Sequence, residues 1–217
     1  MLRSGLGEHN PLIGRYLMTH ALGEIWGFFP DRISGRQEFD KWVTITDWYF
    51  DTQCRVRGVI QQEQLTPLAR LLPDVPRGLR FLTEKVYLNA LTLLVIAEDE
   101  LQPANGVEPM SEARLLVHHT LSAADKARRL FLAQRGKEIL RRMGAVLRVG
   151  TNVGSIFHSC GTCRMGRDAT TSVTDPGGRV WGFDNLFVAD ASLMPTSSGV
   201  NPSLTIAALG LFVADQL

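Results

Sequence analysis

The chain has 217 residues, 45% of them hydrophobic and 21% charged, with 23 Lys plus Arg against 22 Asp plus Glu. That length fits one large or two small globular units of roughly 100–200 residues, with enough apolar material for a core. A net charge of +1 gives no electrostatic ground for a nucleic acid, an anionic membrane or a polyanionic substrate as the main partner.

Residues 1–20 read as a loop, because Gly5, Gly7, Pro11 and Gly14 interrupt every hydrophobic period. Leu12, Ile13, Tyr16 and Leu17 are its expected docking anchors. The first seven residues carry one Arg but no apolar run after it, which is unlike a secretory signal. From residue 21 to about 62 the apolar residues are β-branched or aromatic and partly alternate. Val43, Ile45 and Trp48 mark one predicted strand segment, and Val56, Val59 and Ile60 another. Over 65–82, Pro67, Pro73 and Pro76 allow only short helical pieces.

Residues 87–97 predict a strand apolar on both faces, bounded by the acidic turn Glu98-Asp99-Glu100 and by Pro103-Ala104-Asn105-Gly106. Residues 115–119 are expected to return beside it. The most apolar part, 90–97, is too short for a bilayer, which takes roughly 20 residues, so no membrane span is expected. Residues 122–143 predict a helix: Ser122 and Asp125 form a capping-box start. Ala127, Leu130, Phe131, Ile139, Leu140 and Met143 recur at helical spacing, and Gly144 closes the element. Its other face carries Lys126, Arg128, Arg129, Arg135, Lys137, Arg141 and Arg142. Without interleaved aromatics, this stripe reads as a solvated face rather than a nucleic-acid or lipid surface. The six aromatics Trp26, Phe28, Phe29, Trp42, Trp48 and Tyr49 read as core more readily than as pocket lining.

After Gly150 the chain turns to short, Gly-rich polar segments, broken by the strand-like run 186–189 and ending in an apolar segment over 204–217. Chemistry concentrates in such loops. Three cysteines, Cys54, Cys160 and Cys163, are too few for a disulfide scaffold. Cys160-Gly161-Thr162-Cys163 has the form of a redox pair or half a zinc site, but no second C-x-x-C or His pair completes four ligands. Small buried side chains in a tight loop fit it better, and no metal site is expected. His158 opens the same loop. Some forty residues later, Asn201 is a good N-cap and Pro202 a good first helical residue, so a helix is expected to start there with a positive dipole end.

Four ordered segments carry a family resemblance. They are His158-x-x-Gly161-Thr162-Cys163-Arg164-Met165-Gly166; Val173-Thr174-Asp175-Pro176; Leu186-Phe187-Val188-Ala189-Asp190-Ala191-Ser192-Leu193-Met194-Pro195-Thr196; and Asn201-Pro202-Ser203-Leu204-Thr205-Ile206. Together they resemble the C-terminal end of the glucose-methanol-choline (GMC) flavin oxidoreductases. Ala97-Glu98-Asp99 with Asn105-Gly106-Val107, and Gly14-Arg15-Tyr16-Leu17-Met18-Thr19-His20, are similar to earlier family segments. Residues 21–85 match loosely.

The resemblance implies an FAD-dependent oxidation of a CH–OH group, in an alcohol, polyol or sugar, to a carbonyl. His158 would take the hydroxyl proton as the carbinol hydride leaves for flavin N5, and Asn201 would hold the substrate oxygen. Asp190, Ala191, Asn201 and Pro202 would touch a non-covalent FAD. A neutral imidazole, with an ordinary pKa of about 6.5, suits the base. The G-x-G-x-x-G dinucleotide signature is absent: Asn10 stands where a third Gly would follow Gly5 and Gly7. The main FAD-binding part is therefore expected outside this chain, for example on an N-terminal partner chain, with poor solubility of this piece alone.

The expected fold is α+β: an antiparallel-sheet substrate domain with helices, then a C-terminal strand and helix that in the family complete the FAD-binding domain. Its expected divisions are a junction remnant over 1–20, a substrate-binding domain over 21–145 and a catalytic segment over 146–217. The competing reading is a truncated, inactive fragment that keeps the fold, or an interaction module that needs a partner chain.

Overall fold

The computed structural model describes residues 1–31, 43–63, 72–111, 114–152 and 157–217. In chain order the strands are β1 (His20–Phe28), β2 (Thr44–Ile45), β3 (Gly58–Glu63), β4 (Ala90–Glu98), β5 (Gly106–Pro109), β6 (Leu115–His118) and β7 (Leu147–Asn152). The helices are α1 (Arg80–Leu88), α2 (Ala123–Arg142) and α3 (Ser203–Ala214). Two compact units share them. One gathers Met1–His20, Glu98–Lys126 and Ser155–Leu217; the other gathers Ala21–Ala97 and Ala127–Gly154. Among the described residues no helix is long and apolar enough to cross a membrane.

The second unit is built on a five-stranded sheet in the order β2-β3-β4-β1-β7, giving the α+β architecture that the sequence predicts. The β2–β3, β3–β4 and β1–β7 pairings are antiparallel, with Ile60 opposite Val95 and Ile25 opposite Gly150. β4 lies between two neighbours and is buried along most of its length, as a strand apolar on both faces must be. Trp26 and Phe28 are half-buried against the buried Tyr87 and Ala90, and Phe29 is itself buried. Trp48 lies near the Arg135 guanidinium, and Tyr49 packs edge-on against Phe50. Trp42, and the prolyl segment as far as residue 71, lie outside the described residues.

The capping box of α2 forms as its sequence predicts. Asp125 N–H donates to Ser122 Oγ at 3.0 Å, and Ser122 N–H donates to an Asp125 carboxylate oxygen at 2.6 Å. The buried face of α2 differs from the expected one. Leu132, Gly136 and Leu140 are buried, whereas Leu130 and Met143 stand in solvent. Gly136 explains the difference: a Cβ there would collide with Ile25 Cδ1, and one on Gly27 would lie 2.9 Å from a Leu140 methyl. The i, i+4 stripe meets the sheet through a residue with no side chain, so hydrophobic counting passes over it. On the outer face Glu138 takes Arg141 and Arg142, and the two arginines hold its carboxyl down at about 2.

Two further expectations are corrected. Tyr87 and Leu88 belong to α1, and the strand starts at Ala90, because the helix ends only where Asn89 N–H bonds back to Val86 O. β6 pairs with β5, Val117 opposite Val107, and not with the strand at 90–98. The shorter connection wins, since a hairpin closes a smaller loop.

The first unit has its own core of Ile13, Cys163, Val173, Val180, Val188, Leu193 and Val213. The anchors Ile13 and Leu17 are buried as expected. Residues 186–189 contribute a single bridge, Phe187 to Arg179, to this unit. Helix α3 begins at Ser203 after Pro202, one residue later than predicted. Its first backbone bond runs from Ile206 N–H to Pro202 O at 2.8 Å, which puts Pro202, not Asn201, at the cap.

Leu140→Ala is expected to cost about 2–5 kcal/mol of stability. Leu130→Ala, at a position 59% exposed, should stay within about 0.5 kcal/mol. Chemical denaturation reads both, and equal losses would put the buried stripe of α2 elsewhere.

Candidate active site

The site is built on one short antiparallel pairing inside the first unit. Met18 N–H donates to Cys160 O at 3.0 Å, and Cys160 N–H donates to Met18 O at 2.9 Å. This isolated bridge brings together the two segments on which His20 and His158, each two residues away from it, come into contact. Met18 and Cys160 are buried with Met194. Gly161 makes the turn possible: its φ is +87°, and a Cβ would sit 2.8 Å from Tyr16 O. Arg164 places its guanidinium 3.8 Å from the centre of the Tyr16 ring. The loop is then stitched to the turn at Ala191–Leu193, with Cys163 N–H donating to Ser192 O and Met165 N–H to Leu193 O.

The two imidazoles meet edge to face, their Nδ1 atoms 2.9 Å apart. His20 is buried, and its Nε2 lies 3.0 Å from Ser197 O. Burial is the main force that lowers the pKa of His20 to about 4; the Ser197 carbonyl opposes it and His158 adds to it. His20 is therefore neutral near pH 7. His158 has a φ of 57° and Ser198 a φ of 59°, a conformation that residues other than Gly adopt uncommonly and that concentrates at functional sites.

A second layer holds Ser197. Asp99 N–H donates to Ser197 Oγ at 2.9 Å, and the Ser197 hydroxyl donates to Asp99 O at 3.1 Å. The buried Asp99 carboxylate accepts from Thr19 N–H at 2.8 Å and from His119 Nε2 at 2.7 Å. Thr19 precedes His20, so Asp99 secures His20 from two directions, through its carboxylate at Thr19 and its backbone at Ser197.

The other predicted residues fall as follows. Asn201 is half-buried just before α3, four residues after Ser197, while His158 meets His20. Pro202 is buried. Asp190 caps its own turn, accepting from Ser192 N–H at 2.8 Å, while Ala191 O accepts from Gly161 N–H. Asp190 also borders an open cavity of about 550 Å³, lined among others by Ile13, Val107, Thr162, Cys163 and Ser192. Cys160 and Cys163 are free and buried. Burial, reinforced by the Asp99 charge, pushes the Cys160 thiol up to about 12; burial raises Cys163 as well. These are inert packing thiols, as small residues in a tight loop should be. Among the described residues no three His, Cys, Asp or Glu side chains gather to hold a metal.

Sequence reasoning passed over His20, Asp99, Ser197 and His119 as working residues. His20 ends the Gly14–His20 run and Asp99 lies in the acidic turn Glu98–Glu100, but the partners are 138 and 98 positions away. No local spacing rule reaches that far.

The chain resembles known proteins in sequence and fold. Residues 104–210 match the C-terminal family described as GMC oxidoreductase. The chain is similar to the paromamine 6'-oxidase of Streptomyces fradiae, 28% identical over 95% of this chain and 39% of that protein. It is also similar to a long-chain-alcohol oxidase of Arabidopsis thaliana, 25% identical over 100% of this chain and 34% of that protein. Among solved structures, pyridoxine 4-oxidase from Mesorbium loti shares the fold with a TM-score of 0.68 at 19% identity, over 95% of this chain and 43% of that one. The chain thus spans less than half the length of each.

His20 takes up its proton near 6.5 when unfolded but only near about 4 in the fold. The unfolded state binds the extra proton between these values, so stability falls as pH drops through that window. A His20→Asn variant is expected to show a shallower decline in unfolding free energy from pH 6.5 to 4 than its parent, and parallel curves would contradict the burial argument. Alkylation at neutral pH, followed by mass spectrometry, should modify the exposed Cys54 in the native protein and spare Cys160 and Cys163 until it is denatured. Rapid labelling of Cys160 would reopen a redox role for the C-x-x-C segment.

Proposed function

This chain belongs to the GMC oxidoreductases, whose C-terminal portion it carries, and from that membership we propose that it supplies the substrate-side, proton-accepting part of an FAD-dependent enzyme. That enzyme oxidises a CH–OH group of an alcohol, polyol or sugar to a carbonyl. The observation that carries the reading is the 2.9 Å contact that ties His158 to a buried, neutral His20. That contact, on a residue of strained backbone, fixes the orientation of the His158 imidazole.

In this reading His158 accepts the substrate hydroxyl proton. Asn201, with a carboxamide that neither gains nor loses a proton near neutrality, orients the substrate oxygen by hydrogen bonding. The first amides of α3 lack intrahelical acceptors, which makes its start a place for negative charge. FAD, the cofactor that the family implies, takes up the hydride when it is bound. The residues present fit part of such a group: Asp190 and its turn border a 550 Å³ cavity, and Ala191 lies on the turn stitched to the His158 loop. Asp190, Ala191, Asn201 and Pro202 are the residues that would hold it.

The remaining flavin-binding surface is assigned to polypeptide outside these 217 residues, on the same or a partner chain. Helix α3 supports that assignment, since Leu204 is 83% and Leu211 72% exposed, and apolar groups so exposed mark an interaction face. The same face favours the second reading, an inactive interaction module, and turnover separates the two. In the flavin-loaded holoenzyme, His158→Ala is expected to lower kcat for alcohol oxidation by about 10²–10⁴-fold. Full turnover in that variant would leave the module reading standing.

A further inference from the structure

The five-stranded sheet of the second unit has two faces, and they differ in chemistry. One is closed by α2: a Cβ on Gly136 would meet Ile25 and Leu93, and one on Gly27 would meet Leu140. Neighbouring side chains of a strand point to opposite faces, so Glu24, Trp26, Phe28, Thr92 and Leu94 lie on the other. There the Trp26 indole N–H donates to a Glu24 carboxylate oxygen at 3.3 Å, and the Trp26 and Phe28 rings stack with their centres 6.4 Å apart. The β3–β4 register sets Gln61 opposite Leu94, which adds Gln61 to this face.

Two of these side chains are buried without a bond. Gln61 is 6% exposed and Thr92 1%, yet among the described residues nothing bonds to Gln61 Oε1 or Thr92 Oγ1. Apolar residues at both places would avoid the cost of unbonded buried polar atoms, and Val59, Ile60, Leu93 and Val95 show that the two strands use them freely. Folds as a rule keep such atoms bonded, which gives the two positions a task beyond packing.

We propose that this face selects the substrate. Gln61 and Thr92, with the Glu24 carboxylate, receive hydroxyl groups remote from the carbon that is oxidised, so the substrate is a polyhydroxylated molecule, a sugar or polyol, and not an aliphatic alcohol. The proposal rests on the reading of this chain as the substrate side of a CH–OH oxidising enzyme. A hydroxyl donates to an amide oxygen or a carboxylate, and it can either donate to the Thr92 hydroxyl or accept from it; an alkyl chain does none of this. β4 separates β1 from β3, so Glu24 and Gln61 stand on strands roughly 10 Å apart, a span served by several hydroxyls on one molecule. The Trp26–Phe28 pair supplies apolar surface for the C–H groups between them.

The test presents four alcohols to the flavin-loaded holoenzyme that carries this chain: sorbitol and methyl glucoside, and 1-hexanol and cyclohexylmethanol, which are of similar size without the extra hydroxyls. Steady-state kinetics gives kcat/KM and calorimetry gives affinity. The polyhydroxylated pair should be preferred, and the better of the two tells an open chain from a ring. In the double variant Gln61→Met, Thr92→Val the ratio of polyhydroxylated to aliphatic kcat/KM should fall on the order of 10²-fold, chiefly through KM. Its melting temperature should be no lower than the parent's, since apolar groups replace unbonded polar ones. Thr92→Ser, which keeps the hydroxyl, should keep the ratio.

A parent enzyme that uses 1-hexanol or cyclohexylmethanol as well as the polyhydroxylated pair overturns the proposal without any variant, and so covers a double variant that does not fold. An unchanged ratio in the folded double variant overturns it too and leaves both atoms to buried water. Failure of the underlying reading looks different: none of the four alcohols is turned over, while calorimetry still ranks the polyhydroxylated pair first and the double variant still loses that ranking.

Discussion

The pair of backbone bonds between Met18 and Cys160 constrains the chemistry of this chain more than any side-chain contact does, because it fixes which residues can face each other across the site. Antiparallel register is all-or-none at the level of a face: a slip of one residue would turn His158 away from His20 and put a different neighbour there. Buried small or flexible side chains, Cys160 and Met194 among them, pack around the pairing, and Gly161 takes the positive φ that lets the chain leave it. The position of the histidines is thus a consequence of backbone and apolar packing, established before any polar group is considered.

The polar layer is then a matter of orientation more than of stability. Each hydrogen bond in the Asp99, Ser197, Thr19 and His119 network contributes only about 1 kcal/mol net, while a buried polar group left without a partner costs about 1–3 kcal/mol. A network of this kind is therefore demanding to maintain and returns little to the folding free energy. What it supplies is direction. Asp99 holds Thr19 N–H and His119 with its carboxylate and clasps Ser197 with its backbone, leaving the Ser197 carbonyl aimed at a single nitrogen of His20.

Local sequence signals survived folding where the physics that produced them is local. The capping box at Ser122 and Asp125 and the strand at 90–97 are of this kind: one reports bonds over three residues, the other a run of apolar side chains. The errors arise where the deciding partner is distant or has no side chain. Gly136 hides the buried stripe of α2, since the contact with Ile25 is made by what is missing. Residues 115–118 found a nearer strand than the one that their hydrophobicity alone suggested. His158 was legible through a motif; His20 was visible only as the end of another motif, and the contact between them required the register.

The choice of a second histidine, rather than a carboxylate, behind the proposed base has an electrostatic consequence. A hydride acceptor gains negative charge as the substrate is oxidised, and an imidazolium beside it offsets that charge. A carboxylate bonded to the same imidazole would stabilise the imidazolium too, but would place a competing anion in the site and cancel part of its field. A neutral partner still holds the imidazole in place. Burial keeps His20 uncharged down to about pH 4, so over the range in which His158 can work as a base its partner contributes a dipole and no net charge. The nearby anion, Asp99, bonds Thr19 N–H and His119 through its carboxylate and meets His20 through the neutral groups of Ser197 and the Thr19 backbone. The arrangement separates the two tasks that one carboxylate would otherwise combine, orienting the base and supplying charge, and keeps only the first next to His158.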